Sequence, residues 1–390
     1  MVNRIVLLVL DSVGIGALPD AKAFNSEGAN TLGNIVKNHP DIDLKHFIKL
    51  GLGNIKGIDY LPLEKSPSAS YGRLMEYSNG KDTTTGHWEI TGIHLDKPFK
   101  TYPNGFPKEV MDEFEKRTGK KGIGNKPASG TKIIEELGAE HLKTMNPIIY
   151  TSADSVLQIA AHEEVIPLED LYKMCEIARE IMTGENAVAR IIARPFKGNL
   201  GSFERTANRK DFSLSPQENT VLDFTLDAGY EVVGIGKIDD IFNGQGISKK
   251  IPSKSNKQGI EKTIAAIKEN TEGIIFTNLV DFDSKFGHRR DPKGYKEALE
   301  EVNRHLPDLL NSLKEQDIMI ITADHGNDPT YPGTDHTREY VPLIVVGSGV
   351  KQGVNIGTRN SFADIAATIS ELLQVEKPRN GKSFAESILK

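Results

Sequence analysis

The stretch Ile318-Met319-Ile320-Ile321-Thr322-Ala323-Asp324-His325-Gly326 joins an unbroken apolar run to an Asp-His pair. Short apolar runs without alternation are typical of strands that are buried on both faces inside a parallel sheet. Similar runs occur at Ile5–Leu10, Gly273–Leu279 and Val341–Val346, and a weaker one at Glu231–Ile235. The sequence therefore predicts the strands of a buried parallel sheet.

Helical patterns lie between these runs. Tyr295–Lys314 and Phe362–Val375 carry apolar residues at the spacing of one helix face. The segment Ser215-Pro216-Gln217-Glu218 predicts another helix start, because it combines a capping box with Pro at the first helical position. Alternation of strands and helices predicts an α/β fold, with a core sheet covered by helices.

The middle of the chain has a different character. Charged helical segments, such as Pro107–Thr118 and Leu168–Met182, replace the long apolar runs, and no tight Asp/His cluster occurs there. The length of 390 residues also exceeds one comfortable hydrophobic core. We expect an inserted α+β cap domain at 98–213 and a discontinuous core domain made of 1–97 and 214–390.

Composition narrows the class of protein. A formal net charge of -6 without a dominant basic stripe argues against a nucleic-acid partner. The single cysteine, Cys175, excludes an internal disulfide and a thiolate metal cage. No apolar run approaches the roughly 20 residues that cross a bilayer, and the N-terminus lacks a signal-peptide pattern. We expect a cytoplasmic protein without a membrane partner; oligomeric state stays open, with a slight preference for a monomer.

Asp and His residues follow the predicted strands at four places. They are Asp11, Asp281, Asp283, His288, Asp324, His325, Asp335 and His336. Ligands of open α/β sheets bind beyond the carboxyl ends of the strands, so these side chains are aimed at one edge. One such Asp is ordinarily a cap residue, and one such His is ordinarily structural. Four repetitions of carboxylate and imidazole instead predict a centre for divalent Mn, Zn or Mg.

The segment Lys81-Asp82-Thr83-Thr84-Thr85-Gly86-His87-Trp88-Glu89 carries three candidate hydroxyl nucleophiles. A threonine run beside Gly is ordinarily a turn or a strand edge. Beside two metal ions, however, coordination lowers the pKa of a hydroxyl and activates it without a general base. This chemistry alone leaves Thr83, Thr84 and Thr85 as alternatives.

The segment Asp11-Ser12-Val13-Gly14-Ile15-Gly16 offers a competing interpretation, because Gly-x-Gly after a strand occurs in dinucleotide-binding sites. That fingerprint requires Gly or Ala three residues after Gly16, where this chain has Pro19. An Asp at the strand end would also repel a pyrophosphate unless a metal ion lay between them. We therefore do not expect a dinucleotide site.

Four motifs together resemble the bacterial phosphopentomutase family of the alkaline phosphatase superfamily. They are Asp-Ser-Val-Gly-Ile-Gly at 11–16, Lys-Asp-Thr-x-Thr-Gly-His-Trp-Glu at 81–89, Asp-Phe-Asp-Ser-x-Phe-Gly-His at 281–288 and Ala-Asp-His-Gly-Asn-Asp-Pro at 323–329. The correspondence runs from the first strand to the last helix. It implies an alkaline-phosphatase-like core with two metals and an inserted cap.

The resemblance also implies roles for individual residues. One metal ion would be held by Asp283, His288 and His336, and the other by Asp11, Asp324, His325 and the nucleophile oxygen. Similar enzymes place the nucleophile four residues before the His of the Gly-His pair, which selects Thr83. Asp281 is then a supporting residue. The implied cofactors are two Mn²⁺ ions and a sugar bisphosphate activator such as glucose 1,6-bisphosphate.

The implied reaction interconverts ribose 1-phosphate and ribose 5-phosphate, or the 2-deoxyribose equivalents, through a phospho-threonine and a 1,5-bisphosphate. The candidates for binding the distal phosphate are Arg190, Arg205 and Lys237, since guanidinium forks match phosphate oxygens. Asp154 is the candidate for a sugar hydroxyl. Each of these four residues could equally be an ordinary charged residue on the protein surface.

Other functions fit parts of the pattern. A phosphatase or phosphodiesterase on the same core would let water attack the phospho-threonine. A cofactor-independent phosphoglycerate mutase shares the chemistry but usually has a serine within Asn-Ser-Glu-Val-Gly-His, where this chain has Asp82-Thr83-Thr84-Thr85-Gly86-His87. A non-catalytic metal-binding or nucleotide-binding regulator would lack the nucleophile or a ligand, and this sequence lacks neither.

Overall fold

The structure is a computed structural model that describes residues 2–152, 154–269 and 271–390. The chain divides into two compact units. The first unit is made of two segments, the residues up to Lys97 and the segment Pro216–Lys390. The second unit is the continuous segment Pro98–Ser215. The second boundary thus lies at Ser215, where the sequence suggested 213.

The strands fall into two sheets. In chain order they are β1 Arg4–Leu10, β2 Ser70–Leu74, β3 Ile123–Pro127, β4 Ile148–Thr151, β5 Val156–His162, β6 Arg190–Lys197, β7 Glu204–Arg205, β8 Lys210–Ser213, β9 Glu231–Ile235, β10 Lys249–Ile251, β11 Gly273–Leu279, β12 Asp317–Thr322, β13 Val341–Val346 and β14 Asn355–Arg359.

Helices connect and cover these sheets. They are α1 Thr31–Asn38, α2 Lys45–Leu50, α3 Thr83–Ile90, α4 Lys108–Thr118, α5 Gly130–Thr144, α6 Leu168–Ile181, α7 Val221–Asp227, α8 Ile238–Phe242, α9 Asn256–Lys268, α10 Pro292–Ser312, α11 Ala363–Leu373 and α12 Ala385–Ile388. Short 3₁₀ helices occupy Ala21–Phe24, Leu52–Asn54 and Gly184–Asn186, and a π-helix occupies Phe282–Gly287.

The core unit is built on a mixed sheet. Among the described residues, eight strands pair in the order β10-β9-β11-β1-β12-β13-β2-β14. Strand β1 lies between β11 and β12, parallel to both, and all seven of its residues are buried. This arrangement confirms the predicted α/β fold with a helix-covered core sheet, and it brings the carboxyl ends of three neighbouring strands to one edge.

The direction of strand β13 differs from the predicted parallel arrangement. Its apolar run at Val341–Val346 does form a strand, but it is antiparallel to both neighbours, β12 and β2. A parallel pairing of β12 with β13 would need a crossover connection, usually a helix. The segment 323–340 between them contains no helix among the described residues and returns directly, so the antiparallel direction follows.

The predicted helix start at Ser215 is also wrong. Helix α7 begins at Val221, and Thr220 is its N-cap. The Asp223 carboxylate accepts hydrogen bonds from the Thr220 backbone N–H at 2.7 Å and hydroxyl at 2.8 Å, in a capping box five residues further along. The sequence contains two possible capping boxes, one starting at Ser215 and one at Thr220. The helix begins at the second, which directly precedes the buried residues Val221 and Leu222.

The second unit has its own sheet and core. Its strands pair in the order β3-β4-β5-β6-β7, and β8 also pairs with β6. On one face, α4 and α6 pack through residues such as Phe114 and Leu171, and the free cysteine Cys175 is buried among them. On the other face, α5 packs against Tyr150 and Phe196. No helix in the described part of either unit is long and apolar enough to span a membrane.

A buried ion pair joins the amino ends of β1 and β12. Arg4 and Asp317 pair in register, and each side chain is only 3% exposed. The Arg4 guanidinium donates to both Asp317 carboxylate oxygens, at 3.1 and 2.6 Å, and to the Thr271 carbonyl at 3.1 Å. This bidentate contact fixes the central strands at the end opposite the Asp and His residues.

We expect Asp317→Ala to lower the free energy of unfolding of the core by about 3–5 kcal/mol, because it leaves the Arg4 charge buried without a partner. Urea unfolding followed by far-UV circular dichroism would measure the change. The exposed pair Lys249–Glu269 provides the control, since Lys249→Ala should leave the free energy of unfolding almost unchanged. Equal losses in the two variants would contradict a special role for the buried pair.

Candidate metal centre

Three carboxylates meet at the edge where β11, β1 and β12 end. Asp11 directly follows β1, Asp324 lies just after β12, and Asp283 belongs to the π-helix that follows β11. They are 1%, 0% and 5% exposed, respectively. Parallel neighbouring strands place their carboxyl ends side by side, so the sheet itself gathers these acidic groups.

The first group of possible ligands contains Asp11, Asp324 and His325, whose ligand atoms all lie within 4.8 Å of one another. His325 Nε2 is 3.5 Å from Asp11 Oδ1 and 3.3 Å from Asp324 Oδ2. Its other ring nitrogen, Nδ1, lies 3.0 Å from the Gly326 carbonyl and donates to it. That hydrogen bond leaves the Nε2 lone pair directed at the two carboxylates.

The second group contains Asp283, His325 and His336, within the same 4.8 Å limit. His336 Nε2 is 3.2 Å from Asp283 Oδ1, and His288 Nε2 is 3.3 Å from Asp283 Oδ2. His288 Nδ1 donates to the Thr334 carbonyl at 2.7 Å, which directs Nε2 inward. The structure thus brings together all six residues proposed as ligands, and His325 stands between the two groups.

Unsatisfied oxygens show that a cation fits this centre. Asp11 Oδ1 and Asp324 Oδ2 are buried and make no hydrogen bond of normal geometry among the described residues, although His87 Nδ1 lies 3.1 Å from Asp324 Oδ2. The opposite oxygens are held, since Asn278 Nδ2 donates to Asp11 Oδ2 at 3.0 Å and Ser12 N donates to Asp324 Oδ1 at 3.0 Å. Each carboxylate is therefore oriented through one oxygen and presents the other, which is how supporting residues aim metal ligands.

The carboxyl groups of this centre have different pKa values when no metal ion is bound. Burial and the nearby carboxylates of Asp324 and Asp283 raise the pKa of Asp11 to about 7. Burial opposes ionisation of Asp283 too, but His336 and His288 hold its pKa well below the usual range. Among these carboxylates, Asp11 is thus the one that protonates most readily when no cation offsets the negative charge.

Helix α3 places its first residue beside this centre. Thr83 Oγ1 lies 3.1 Å from His325 Nε2. The Asp82 side chain caps the helix, accepting hydrogen bonds from Thr85 N at 3.1 Å and Thr85 Oγ1 at 2.6 Å. The hydroxyl of Thr85 is therefore engaged in the cap, whereas that of Thr83 faces the ligand groups.

Gly86 explains how α3 comes so close. A Cβ atom at this position would lie 2.1 Å from the backbone oxygen of Asp324, so only glycine permits the approach. His87, fully buried, has Nδ1 at 2.9 Å from the Thr83 carbonyl and 3.1 Å from Asp324 Oδ2. It therefore contacts both the helix and the strand end.

The loop that carries His336 is anchored by the buried carboxylate of Glu339. This carboxylate accepts hydrogen bonds from Gly16 N at 3.0 Å, from Thr31 N and Oγ1 at 2.9 and 2.7 Å, and from Thr337 Oγ1 at 2.7 Å. One side chain therefore connects the segment after β1, helix α1 and the loop between β12 and β13. The loop is consequently fixed relative to Asp11.

Sequence reasoning missed several supporting residues. Asn327 Nδ2 donates to Asp283 Oδ1 at 2.7 Å, alongside the contacts of Asn278 and Ser12. Ser12 also adopts a left-handed conformation with φ of 76°, rare for a residue other than glycine. The available signal was Asn278 itself, a polar residue inside an otherwise apolar strand. Asp281, as expected, serves elsewhere: it accepts from Asn256 N at 3.0 Å and pairs with Lys285.

The candidates for substrate binding lie in both units. In the core, Lys237 follows β9 and its charge lowers the pKa of Asp11. In the second unit, Asp154 precedes β5, and Arg190 begins β6, where it pairs with Val156. Arg205 pairs with Phe196 near the other end of β6, six residues beyond Arg190 or about 20 Å of strand. The backbone therefore places Arg190 beside Asp154, and Arg205 can approach them only through its side chain.

We expect Asp11→Asn to change the pH dependence of stability in chelator-treated protein. The folded pKa of Asp11, about 7, exceeds its ordinary value of 3.8, so ionisation disfavours the folded state. The unchanged chain should lose stability relative to Asp11→Asn as pH rises from about 4 to about 7, and the difference should then level off.

Urea unfolding at a series of pH values tests this expectation. Saturating Mn²⁺ provides the control, because the variant lacks one proposed ligand and should then be the less stable protein. Parallel stability curves for the two chelator-treated proteins would contradict the raised pKa.

Comparison with known proteins agrees with this geometry. The sequence profile of the metalloenzyme superfamily matches residues 3–377. The phosphopentomutase of Alkaliphilus oremlandii is 61% identical over 390 residues, covering 100% of both chains. The phosphopentomutase of Clostridioides difficile is 58% identical over 384 residues, covering 98% of each. A solved Pyrococcus horikoshii structure shares the fold, with a TM-score of 0.51, 14% identity and coverage of 98% and 100%. The chain belongs to the phosphopentomutase family of the metalloenzyme superfamily.

Proposed function

We propose that this chain interconverts ribose 1-phosphate and ribose 5-phosphate, and also the corresponding 2-deoxyribose phosphates. The observation that carries the proposal is the Thr83 hydroxyl, 3.1 Å from His325 Nε2 beside two adjoining groups of metal ligands. That geometry suits phosphoryl transfer through a threonine. The full-length relatives named phosphopentomutase favour a mutase over a hydrolase on the same core.

The ligand residues fit two divalent cations, which we propose are Mn²⁺. One set is Asp283, His288 and His336, and the other is Asp11, Asp324, His325 and the Thr83 oxygen. When bound, such cations lower the pKa of a coordinated hydroxyl and offset charge on the transferring phosphoryl group. We also infer a cytoplasmic enzyme that is primed by a sugar bisphosphate such as glucose 1,6-bisphosphate.

Thr83 is the residue that carries the phosphoryl group in this proposal. It is the first residue of α3, and a helix N-terminus favours negative charge. Phospho-Thr83 transfers its phosphoryl group to a free hydroxyl of the pentose monophosphate: the Thr Oγ–P bond breaks and a sugar O–P bond forms. The resulting 1,5-bisphosphate reorients, and the Thr83 oxygen then takes the other phosphoryl group.

We propose that the residues that bind the sugar phosphate are Asp154, Arg190, Arg205 and Lys237. Asp154 and Arg190 lie at the same edge of the second sheet, so a carboxylate for a sugar hydroxyl and a guanidinium for a phosphate are neighbours there. Arg205 belongs to the same proposal; its backbone pairs with Phe196 near the other end of β6, and its guanidinium lies against the first residue of α5 beside Tyr150 Oη. Retention matters because an escaped bisphosphate would leave the enzyme without its phosphoryl group.

The first test is an assay of Mn²⁺-loaded protein with ribose 1-phosphate and catalytic glucose 1,6-bisphosphate. We expect ribose 5-phosphate to accumulate with little free inorganic phosphate, and Thr83→Ala to lower the rate by at least about 10³-fold, because the phosphoryl acceptor is gone. Chromatography measures the sugar phosphates, and a colorimetric assay measures inorganic phosphate.

Thr84→Ala is the matched control, since it removes the neighbouring hydroxyl from the same helix turn and should keep most of the activity. Inorganic phosphate as the main product would instead indicate a phosphatase. If only 3-phosphoglycerate were converted, the enzyme would be a phosphoglycerate mutase. Full activity of Thr83→Ala would transfer the nucleophile role to Thr84 or Thr85.

We expect Arg190→Gln to raise KM for ribose 5-phosphate by roughly 10–100-fold, because a charge-assisted hydrogen bond to phosphate is worth about 1.5–3 kcal/mol. Steady-state kinetics with both substrates would measure KM and kcat. Arg117→Gln is the control in the same unit, since Arg117 pairs with Glu180 on the surface. Similar KM values for Arg190→Gln and the control would contradict phosphate binding by Arg190.

A further inference from the structure

The turn that follows strand β1 holds Ser12 in an unusual backbone conformation. Val13 N donates to the Leu10 carbonyl at 3.0 Å, so residues 10–13 form a four-residue turn with Ser12 in the third position. The φ angle of Ser12 is 76°, in the left-handed region that such a turn usually gives to glycine. Ser12 is also fully buried. A serine in this conformation is strained, and such strain persists only where the surrounding structure imposes it.

This turn directs the Ser12 backbone at the metal centre. Ser12 N donates to Asp324 Oδ1 at 3.0 Å, and the residue before Ser12 is Asp11, another proposed ligand. The second oxygen of Asp324, Oδ2, lies 3.3 Å from His325 Nε2. Because the φ angle of Ser12 sets the orientation of the peptide plane that carries this N–H, relaxing the angle would move the donor away from Asp324. The strained conformation therefore orients one carboxylate of the centre.

Tyr295, on helix α10, contacts the strained residue from outside the turn. Its hydroxyl donates to the Ser12 carbonyl at 2.9 Å and lies 3.1 Å from Ser12 Oγ. The side chain is fully buried, and burial raises the pKa of Tyr295 well above its usual range, so the hydroxyl keeps its hydrogen. A buried hydroxyl without a partner costs free energy, and both contacts require Ser12 in its observed position. Tyr295 therefore stabilises the left-handed conformation.

The other donors to the Ser12 carbonyl belong to less independent segments. Gly14 N donates to it at 2.9 Å and Asn327 N at 3.2 Å. Gly14 lies directly after the same turn, and Asn327 lies in the loop that also carries His325, so the position of both segments has itself to be fixed. Tyr295 instead belongs to a helix of 21 residues, and its ring packs against Phe282 with the ring centroids 5.5 Å apart. It is a rigid external support for the turn.

We propose that Tyr295 is a positioning residue for the metal centre: its hydroxyl holds Ser12 in the left-handed conformation and thereby fixes Asp324 for a divalent cation. Tyr295 touches neither the cation nor the substrate and acts through Ser12. The inference rests on the two-cation centre proposed above, and it adds a residue that lies outside all four of the motifs at 11–16, 81–89, 281–288 and 323–329.

Titration of chelator-treated protein with Mn²⁺, followed by isothermal calorimetry, tests this role. Tyr295→Phe removes the hydroxyl and keeps the ring that contacts Phe282. We expect it to raise the Kd of one of the two Mn²⁺ ions by about tenfold, the lower end of the effect of removing a supporting hydrogen bond. Tyr102→Phe is the matched control, because Tyr102 is also buried and donates to the Asn186 carbonyl at 3.0 Å in the second unit. The control should keep the Kd values of the unchanged chain.

A second substitution separates positioning from a general loss of packing. Adding Ser12→Gly to Tyr295→Phe should restore the Kd to within about threefold of the unchanged chain, because glycine adopts a positive φ without strain and retains the N–H. Adding Ser12→Ala instead should restore nothing, because alanine also lacks the hydroxyl but has the Cβ atom that makes this conformation costly. The two double variants thus differ in the conformational freedom of one residue.

The outcomes distinguish this inference from the proposed function. Unchanged Mn²⁺ affinity in Tyr295→Phe, an equal loss in Tyr102→Phe, or equal affinities in the two double variants would overturn the role of Tyr295 and leave the metal centre in place. If the unchanged chain bound no Mn²⁺, the proposed centre would be wrong and the inference would fall with it.

Discussion

The close approach of three buried carboxylates is the constraint on which the rest of the core depends. Asp11, Asp283 and Asp324 meet because β11, β1 and β12 are parallel neighbours that end together. Like charges in a medium of low dielectric constant repel strongly, and burial removes the water that would screen them. The surrounding imidazoles, amide side chains and backbone N–H groups offset this cost in part, and two oxygens are left for cations.

Much of the surrounding structure can be understood as support for this cluster. Gly86 allows α3 to approach Asp324, His87 ties the helix to the strand end, and Glu339 fixes the loop that carries His336. These contacts connect segments that are far apart in sequence. A site of this kind requires orientation to within fractions of an ångström, which flexible loops alone would not provide.

The sequence predicted the central strands and marked the Asp and His residues that gather at their ends, because both have strong local signals. Apolar runs marked β1, β11 and β12, and repeated Asp and His residues marked their ends. The direction of β13 had no such signal, because an apolar run looks the same in either orientation. The start of α7 was misplaced because two capping boxes lie close together. Asn278 and Gly86 act through tertiary contacts, and Arg190 and Arg205 look equivalent until the register of β6 separates them.

The discontinuous core also determines the order in which the chain becomes structured during synthesis. Arg4 and Asp317 are 313 residues apart, so β1 cannot find β12 until most of the chain has left the ribosome. At about 5–20 residues per second, this wait lasts on the order of tens of seconds. The second unit is continuous in sequence and completes its own sheet earlier. The nascent chain therefore carries a folded middle while its apolar first strand is still exposed, and that interval is when aggregation or chaperone binding competes with folding.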